Sequence, residues 1–254
     1  MSDDLTPREF KARMIDRHRP SFDLWRRCHE LLEGVVPRRR DLTLPYPRAL
    51  DILFVQEFKS HGSLYFLCVH GHGEDGATIL RRMLEIAFQT EYLCNDPFER
   101  ENRAERYLAW FWLQADSRLK SGIPEPGRTW WQHKYNTHKH LILGADGRPL
   151  RNWWGNKSIR ELANDLGLLK TYDHDYRFLS QMAHCTAQGI LMSRVGNTVE
   201  IRTDILVREI LVFGTRYMIK VTKHWNDTFR FIEASRLEEL ACKAVRFNFG
   251  ATSP

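Results

Sequence analysis

The stretch YRFLSQMAHC, from Tyr176 to Cys185, holds an arginine and a histidine seven positions apart. On a helix, seven residues at about 100° each bring His184 back to within roughly 20° of Arg177, about 10.5 Å along the axis. Ser180 lies on that face between them, and Gln188 lies one turn beyond. The flanks, Phe178, Leu179, Met182, Ala183 and Ile190, are mostly apolar, and Tyr172 and Tyr176 sit just upstream. A histidine titrates near neutral pH and can move a proton to or from a ribose 2′-hydroxyl or a leaving oxygen. An arginine fork binds phosphate bidentately and stabilises charge developing on it. The pair therefore reads as phosphodiester cleavage without a metal. The alternative is plain packing, a core histidine beside a salt-bridged arginine.

A second polar stripe lies upstream. Arg82, Glu85, Gln89 and Tyr92 follow at steps of three, four and three, which places them on one helix face. The surrounding apolar residues, from Ile79 to Leu93, cover nearly the whole circumference, so this helix is expected to be buried. Buried charges are costly unless paired. An Arg82–Glu85 pair is expected, with Arg81 exposed. Arg82, Glu85, Arg177 and His184 are expected to converge in the interior or on a cleft.

The elements that must position these residues read as helices. Thr6 and Pro7 mark a helix start, and Pro20 splits that region in two. A helical region follows from Pro47 to Gly71. The long helix of Gly73–Asp96 stops at Pro97, which opens another that ends at Gly122. From Gly122 to Gly155 the period dissolves into mixed Pro, Gly, Trp and His, read as an irregular insertion with room for one short helix. Ser158 and Gly167 bracket a further helix. RVGNTVEIRT suggests a short β-hairpin near 194–202, and two last helices complete the chain. The fold class is all-α, a single-domain multi-helix bundle. Its parts are N-terminal helices (1–72), a core with the insertion at 122–155 (73–193), and a C-terminal hairpin and helix pair (194–254).

Composition bounds the function. The 254 residues suffice for a sizeable core, and 43% hydrophobic with 12% aromatic residues argue against disorder. A net charge of +6 favours a polyanionic partner such as RNA. Five scattered cysteines without a C-x-x-C fit a reducing cytoplasm rather than a disulfide or thiolate-zinc framework. The N-terminus lacks the apolar core of a signal peptide, and the apolar runs are too short to span a bilayer. No cofactor loop is present, since HGHGEDG lacks the Walker lysine.

LRRMLEIAFQTEYLCNDP, a long gap and then YDHDYRFLSQMAH resemble an uncharacterised bacterial family known only as a domain of unknown function. Its marks are Arg-x-x-Glu on one helix and a Tyr-rich segment running into Ser-x-x-x-His on a later one. Arg82, Glu85, Tyr172, Tyr176, Ser180 and His184 carry that resemblance. More loosely, the layout resembles HEPN domains. These are small helical bundles of toxin–antitoxin and phage-defence systems, many of them metal-independent ribonucleases with an Arg-x4-6-His motif completed across a dimer. Arg177 and His184 meet that motif at its longest spacing, although Phe178 stands where a polar residue is common. The resemblance implies an endoribonuclease, with His184 as general acid/base, Arg177 as phosphate clamp, and a homodimer or an antitoxin-like partner.

Three further patterns compete. SIRELANDLGLL resembles the start of a helix-turn-helix, but Asp173 and Asp175 would meet DNA phosphate with the wrong charge. His70, His72, His133, His138, His140, His174 and His184 invite a metal, yet no established ligand spacing occurs, and no metal is expected. TWWQHKYNTHKH interleaves aromatics with cations, which suits stacking on unpaired bases through Trp131 and Lys134, or plugging of a bundle end. The expectation is a HEPN-like ribonuclease with Arg177, His184, Glu85 and Arg82 catalytic. Ser180, Tyr172, Tyr176, Gln188, Trp131 and Lys134 would bind substrate. The alternative is a non-catalytic helical interaction protein.

Overall fold

The computed structural model describes residues 5–120, 127–183, 194–195, 198–199 and 204–247, with 114–120, 183, 194–195 and 198–199 described at the backbone only. The long elements are helices: α1 (Pro7–Arg17), α2 (Arg19–Glu33), α3 (Pro45–Val69), α4 (Gly73–Cys94), α5 (Arg100–Lys120), α6 (Gly127–Ile142) and α7 (Ile159–Asp165). There follow α8 (Leu169–Thr171), a π-helical turn (Tyr172–Tyr176), α9 (Arg177–Ala183), α10 (Val207–Phe229) and α11 (Ala234–Arg246). The protein is all-α, as expected.

Local chemistry sets the helix starts. The Thr6 hydroxyl accepts from the Glu9 amide while the Glu9 carboxylate accepts from the Thr6 amide, a reciprocal cap that satisfies two orphan donors. Ser158 and Glu161 repeat it at α7. Pro20 falls in the first turn of α2, where its missing N–H costs nothing, and α1 ends before it. Gly167 ends α7 with φ of 70°, a left-handed position that favours glycine.

The chain packs as two units: Met1–Arg40, Leu53–Ala87 and Lys170–Pro254 form one, Asp41–Ile52 and Phe88–Leu169 the other. The first is built around α10, which buries Ile210, Leu211, Met218, Val221 and Trp225. Its Thr215 and Thr222 hydroxyls donate to the carbonyls of Leu211 and Met218, so two polar groups enter the core satisfied. Trp225 is fully buried and stacks on Phe54 at 4.2 Å between ring centroids. Gly214 permits close approach of α3, because a Cβ there would stand 2.3 Å from Leu64 Cδ1.

The second unit pins Trp153. Its indole N–H donates to Gln89 Oε1 at 2.9 Å, and Tyr92 and Tyr107 meet its ring edge-on. Trp153 is buried. The expected irregular insertion is largely the helix α6. No Gly or Pro interrupts Arg128 to Ile142, and only Ile142 is buried. A helix that buries so little needs no apolar stripe, so periodicity carried no signal for it.

Among the described residues, the extended ladder is two residues long, pairing Arg194 with Val199 and Val195 with Thr198 inside the segment expected to form a hairpin. No described helix is long and apolar enough to cross a membrane.

Candidate functional site

The run from Leu169 to Ala183 is helical throughout, but its middle, YDHDY, winds as a π-turn. Such turns are rare and occur often at functional sites. Here its side chains are anchored on two other helices.

Tyr176 anchors the turn on α4. Its hydroxyl donates to Glu85 Oε1 at 2.8 Å and accepts from Arg81 Nη2 at 2.8 Å. The Arg81 guanidinium also lies 4.9 Å from the Tyr176 ring centroid and pairs with Glu85 at 3.3 Å. Burial, with the hydrogen bond to Glu85, pushes the Tyr176 phenol up to about 12. Tyr172 stacks on Tyr176 at 4.8 Å.

Asp175 anchors the turn on α10. Its Oδ2 accepts from the Tyr217 hydroxyl at 2.8 Å, and its Oδ1 lies 2.8 Å from His174 Nδ1. A carboxylate only accepts, so Nδ1 carries the proton, and Nε2 of the neutral ring is the free base. The Asp175 side chain is 17% exposed and that of His174 87%. Burial, then the Asp175 charge, holds the Tyr217 phenol well above its ordinary range. Three residues beyond His174, Arg177 opens α9 with its side chain 68% exposed and 3.9 Å from Asp173.

A cavity of about 460 Å³ borders this turn. Leu80, Leu179, Ile210 and Phe213 give it apolar walls. His174, Asp175, Glu209 and Tyr217 also border it, but its surface is almost wholly apolar.

The expected site residues fall out as follows. Glu85, Tyr172 and Tyr176 come together, but the arginine that joins them is Arg81. Arg82 is exposed. The two arginines differ by about 100° around α4, and only Arg81 faces Tyr176 while sitting four residues before Glu85. Arg82 instead lowers the pKa of Glu57 on α3, which burial raises far more strongly. Gln89 and Tyr92 of the same stripe serve Trp153. Ser180 is half-buried on α9. His184 and Gln188 lie outside the described residues. Trp131 packs edge-on to Trp112 at 5.1 Å, and the Lys134 carbonyl lies 2.8 Å from His138 Nδ1.

Sequence reasoning placed Arg81 on the exposed side, where the structure instead turns it onto Tyr176 and Glu85, and it passed over Tyr217 and the His174–Asp175 pair. The available signal was an acid adjoining a histidine in DHDY. Among the described residues, no group of three or more His, Cys, Asp or Glu is arranged to hold a metal ion.

No curated protein and no solved structure matches the chain. A family match spans residues 50–200, taking in α4, the π-turn and α9, and on that match the chain belongs to DUF5677, a family of unknown function.

Proposed function

We propose that the protein is a metal-independent endoribonuclease whose chemistry is centred on the π-turn. One observation carries the reading: an imidazole oriented by a carboxylate, His174 on Asp175, stands three residues from an exposed guanidinium, Arg177, on one helical run. His174 Nε2 takes the proton of a ribose 2′-hydroxyl. The freed oxygen attacks phosphorus, the bond to the 5′-oxygen breaks, and that oxygen gains a proton. Arg177 holds the phosphate and its developing charge. His184, seven residues after Arg177, is the proton donor this reading assigns to the leaving oxygen. A role in stress or phage defence, a cytoplasmic setting and a homodimer extend the same reading.

The test is cleavage of a mixed RNA pool with and without EDTA. EDTA-resistant cleavage should fall about 100-fold or more in His174→Ala and in Arg177→Ala, with unchanged circular dichroism because both side chains are exposed. An inert wild type, or full activity in both variants, overturns the reading.

A second reading, a non-catalytic interaction protein, is favoured by α6. That helix carries Trp130, half exposed, beside Trp112 and Trp131, and has no acidic residue. Such a surface suits binding without chemistry.

A further inference from the structure

The helix α6 lies open along most of its length, and the residue it buries is Ile142 at its end. Against it, α5 holds an aromatic cluster. Trp112 sits in the middle, its ring centroid 5.4 Å from Trp130, 5.1 Å from Trp131 and 5.0 Å from Phe111, and it stacks on His138 at 5.9 Å. Phe111 and Trp130 are each 51% exposed. Large aromatics packed on one another yet left half in water mark a contact surface rather than a core.

The charge on α6 is of one sign. The helix has no acidic residue. The side chains of Arg128, Lys134 and Lys139 make no hydrogen bond or ion pair among the described residues. By helical geometry Lys134 lies within about 40° of Trp130, and Arg128 and Lys139 fall about 60–80° beyond Trp131. Three such cations beside exposed rings call for an anion that also carries flat apolar faces.

A lipid surface fits this face less well. A helix lying in a membrane interface needs an apolar side wide enough to sink toward the acyl chains. The other exposed positions of α6 include Gln132, His133, Asn136, Thr137 and His140, which bring amides, a hydroxyl and imidazoles instead. Such groups hydrogen-bond phosphates and bases. An acidic peptide supplies the charge but no regular row of ring faces.

We propose that this face of α5 and α6 is a platform for single-stranded nucleic acid. Bases stack on Trp130 and Phe111, while Lys134, Arg128 and Lys139 hold the phosphates. Every unpaired base has a ring face, so binding tolerates sequence. A duplex keeps those faces in its own stack. The inference goes beyond the ribonuclease reading and does not depend on it, because binding here needs no cleavage.

The test is fluorescence anisotropy of the full chain with a labelled single strand of 2′-O-methyl RNA, which has no 2′-hydroxyl to attack and stays intact. A DNA strand, an RNA duplex and anionic phosphatidylserine vesicles serve as competitors. The duplex should bind about tenfold or more weakly than the single strand, and the DNA strand should compete. Trp130→Ala should weaken binding about tenfold or more, and Trp130→Phe, which keeps a ring, should recover most of it. Replacing Arg128, Lys134 and Lys139 by Gln should cut the slope of log affinity against log salt by about two, at about 0.7 per phosphate contact. The exposed cations and half-exposed Trp130 should leave circular dichroism unchanged. No binding, equal binding of duplex and single strand, displacement by vesicles but not by DNA, or affinity untouched in these variants overturns the platform. Binding as expected with unmodified RNA left uncut keeps the platform and overturns cleavage. Cleavage that Trp130→Ala leaves unchanged, with no binding of the uncleavable strand, does the reverse.

Discussion

Tyr217 donates its hydroxyl proton to Asp175 across 2.8 Å, joining the middle of α10 to the π-turn. The Asp175 oxygen it does not touch is the one that orients His174. Tyr217→Phe keeps the ring and removes the donor from a carboxylate that is mostly buried. The expected loss is about 1–3 kcal/mol, seen as a lower Tm, together with reduced RNA cleavage and a shifted pH profile. A variant as stable and as active as the wild type would show that Asp175 does not depend on the phenol.

Adjacent arginines on α4 should behave differently. Arg81→Met removes a hydrogen bond to Tyr176, the ion pair with Glu85 and the contact with the Tyr176 ring. It should cost about 1–2 kcal/mol. Arg82→Met, at an exposed position, should stay within about 0.5 kcal/mol. Denaturant unfolding of the two variants side by side decides the matter, and equal effects would contradict the assignment of Arg81.

Glu57 is fully buried, and neither carboxylate oxygen has a hydrogen-bond partner among the described residues. Burial raises its pKa well above 4.5, with Arg82 opposing weakly. The folded chain therefore keeps a proton that the unfolded chain releases above about pH 4.5. By linkage, the contribution of this group to stability is fully present below that pH and is lost as pH rises toward the folded value. Glu57→Gln should flatten the fall in stability over that window, and Glu57→Met should raise stability at pH 7 by about 1–3 kcal/mol. Urea unfolding across pH 4.5–8 measures both, and unchanged slopes would refute the buried proton.

Gly214 sets two effects against each other. Alanine gains about 0.5–1 kcal/mol of helix preference over glycine. Its Cβ, however, would stand 2.3 Å from Leu64, a fully buried side chain with little room to move. Overpacking of that kind costs about 1–3 kcal/mol. Gly214→Ala should be net destabilising by about 1 kcal/mol, and Gly214→Val by clearly more. Thermal unfolding of the pair gives the sign directly.

These positions divide by what a linear sequence can carry. Thr6 with Glu9, Ser158 with Glu161, Pro20 and Gly167 act within one helical turn, so the helix ends were legible, and with them the all-α class. The α6 helix was not legible, because it buries only Ile142 and so has no apolar stripe to read. At the site, the Arg-x-x-Glu and Tyr-rich spacing pointed to Glu85, Tyr172 and Tyr176. The choice between Arg81 and Arg82 depends on which side of α4 meets the π-turn, which spacing alone does not encode. Asp175 gains its partner from Tyr217, 42 residues away in sequence, and nothing local marks that contact.

The π-turn also acts as a phase shifter. A π-turn holds about one residue more than an α-turn, so everything after Tyr176 is rotated by about 100° relative to an uninterrupted α-helix begun at Leu169. Winding the same residues as a regular α-helix would spin α9 by that angle. Phe178 and Leu179 would then leave the cavity wall and Arg177 would turn away from its present face. Deleting one residue between Tyr172 and Tyr176 would instead restore regular winding and leave α9 on its present face, so the site should tolerate that loss of length better than exchanges that straighten the turn at full length.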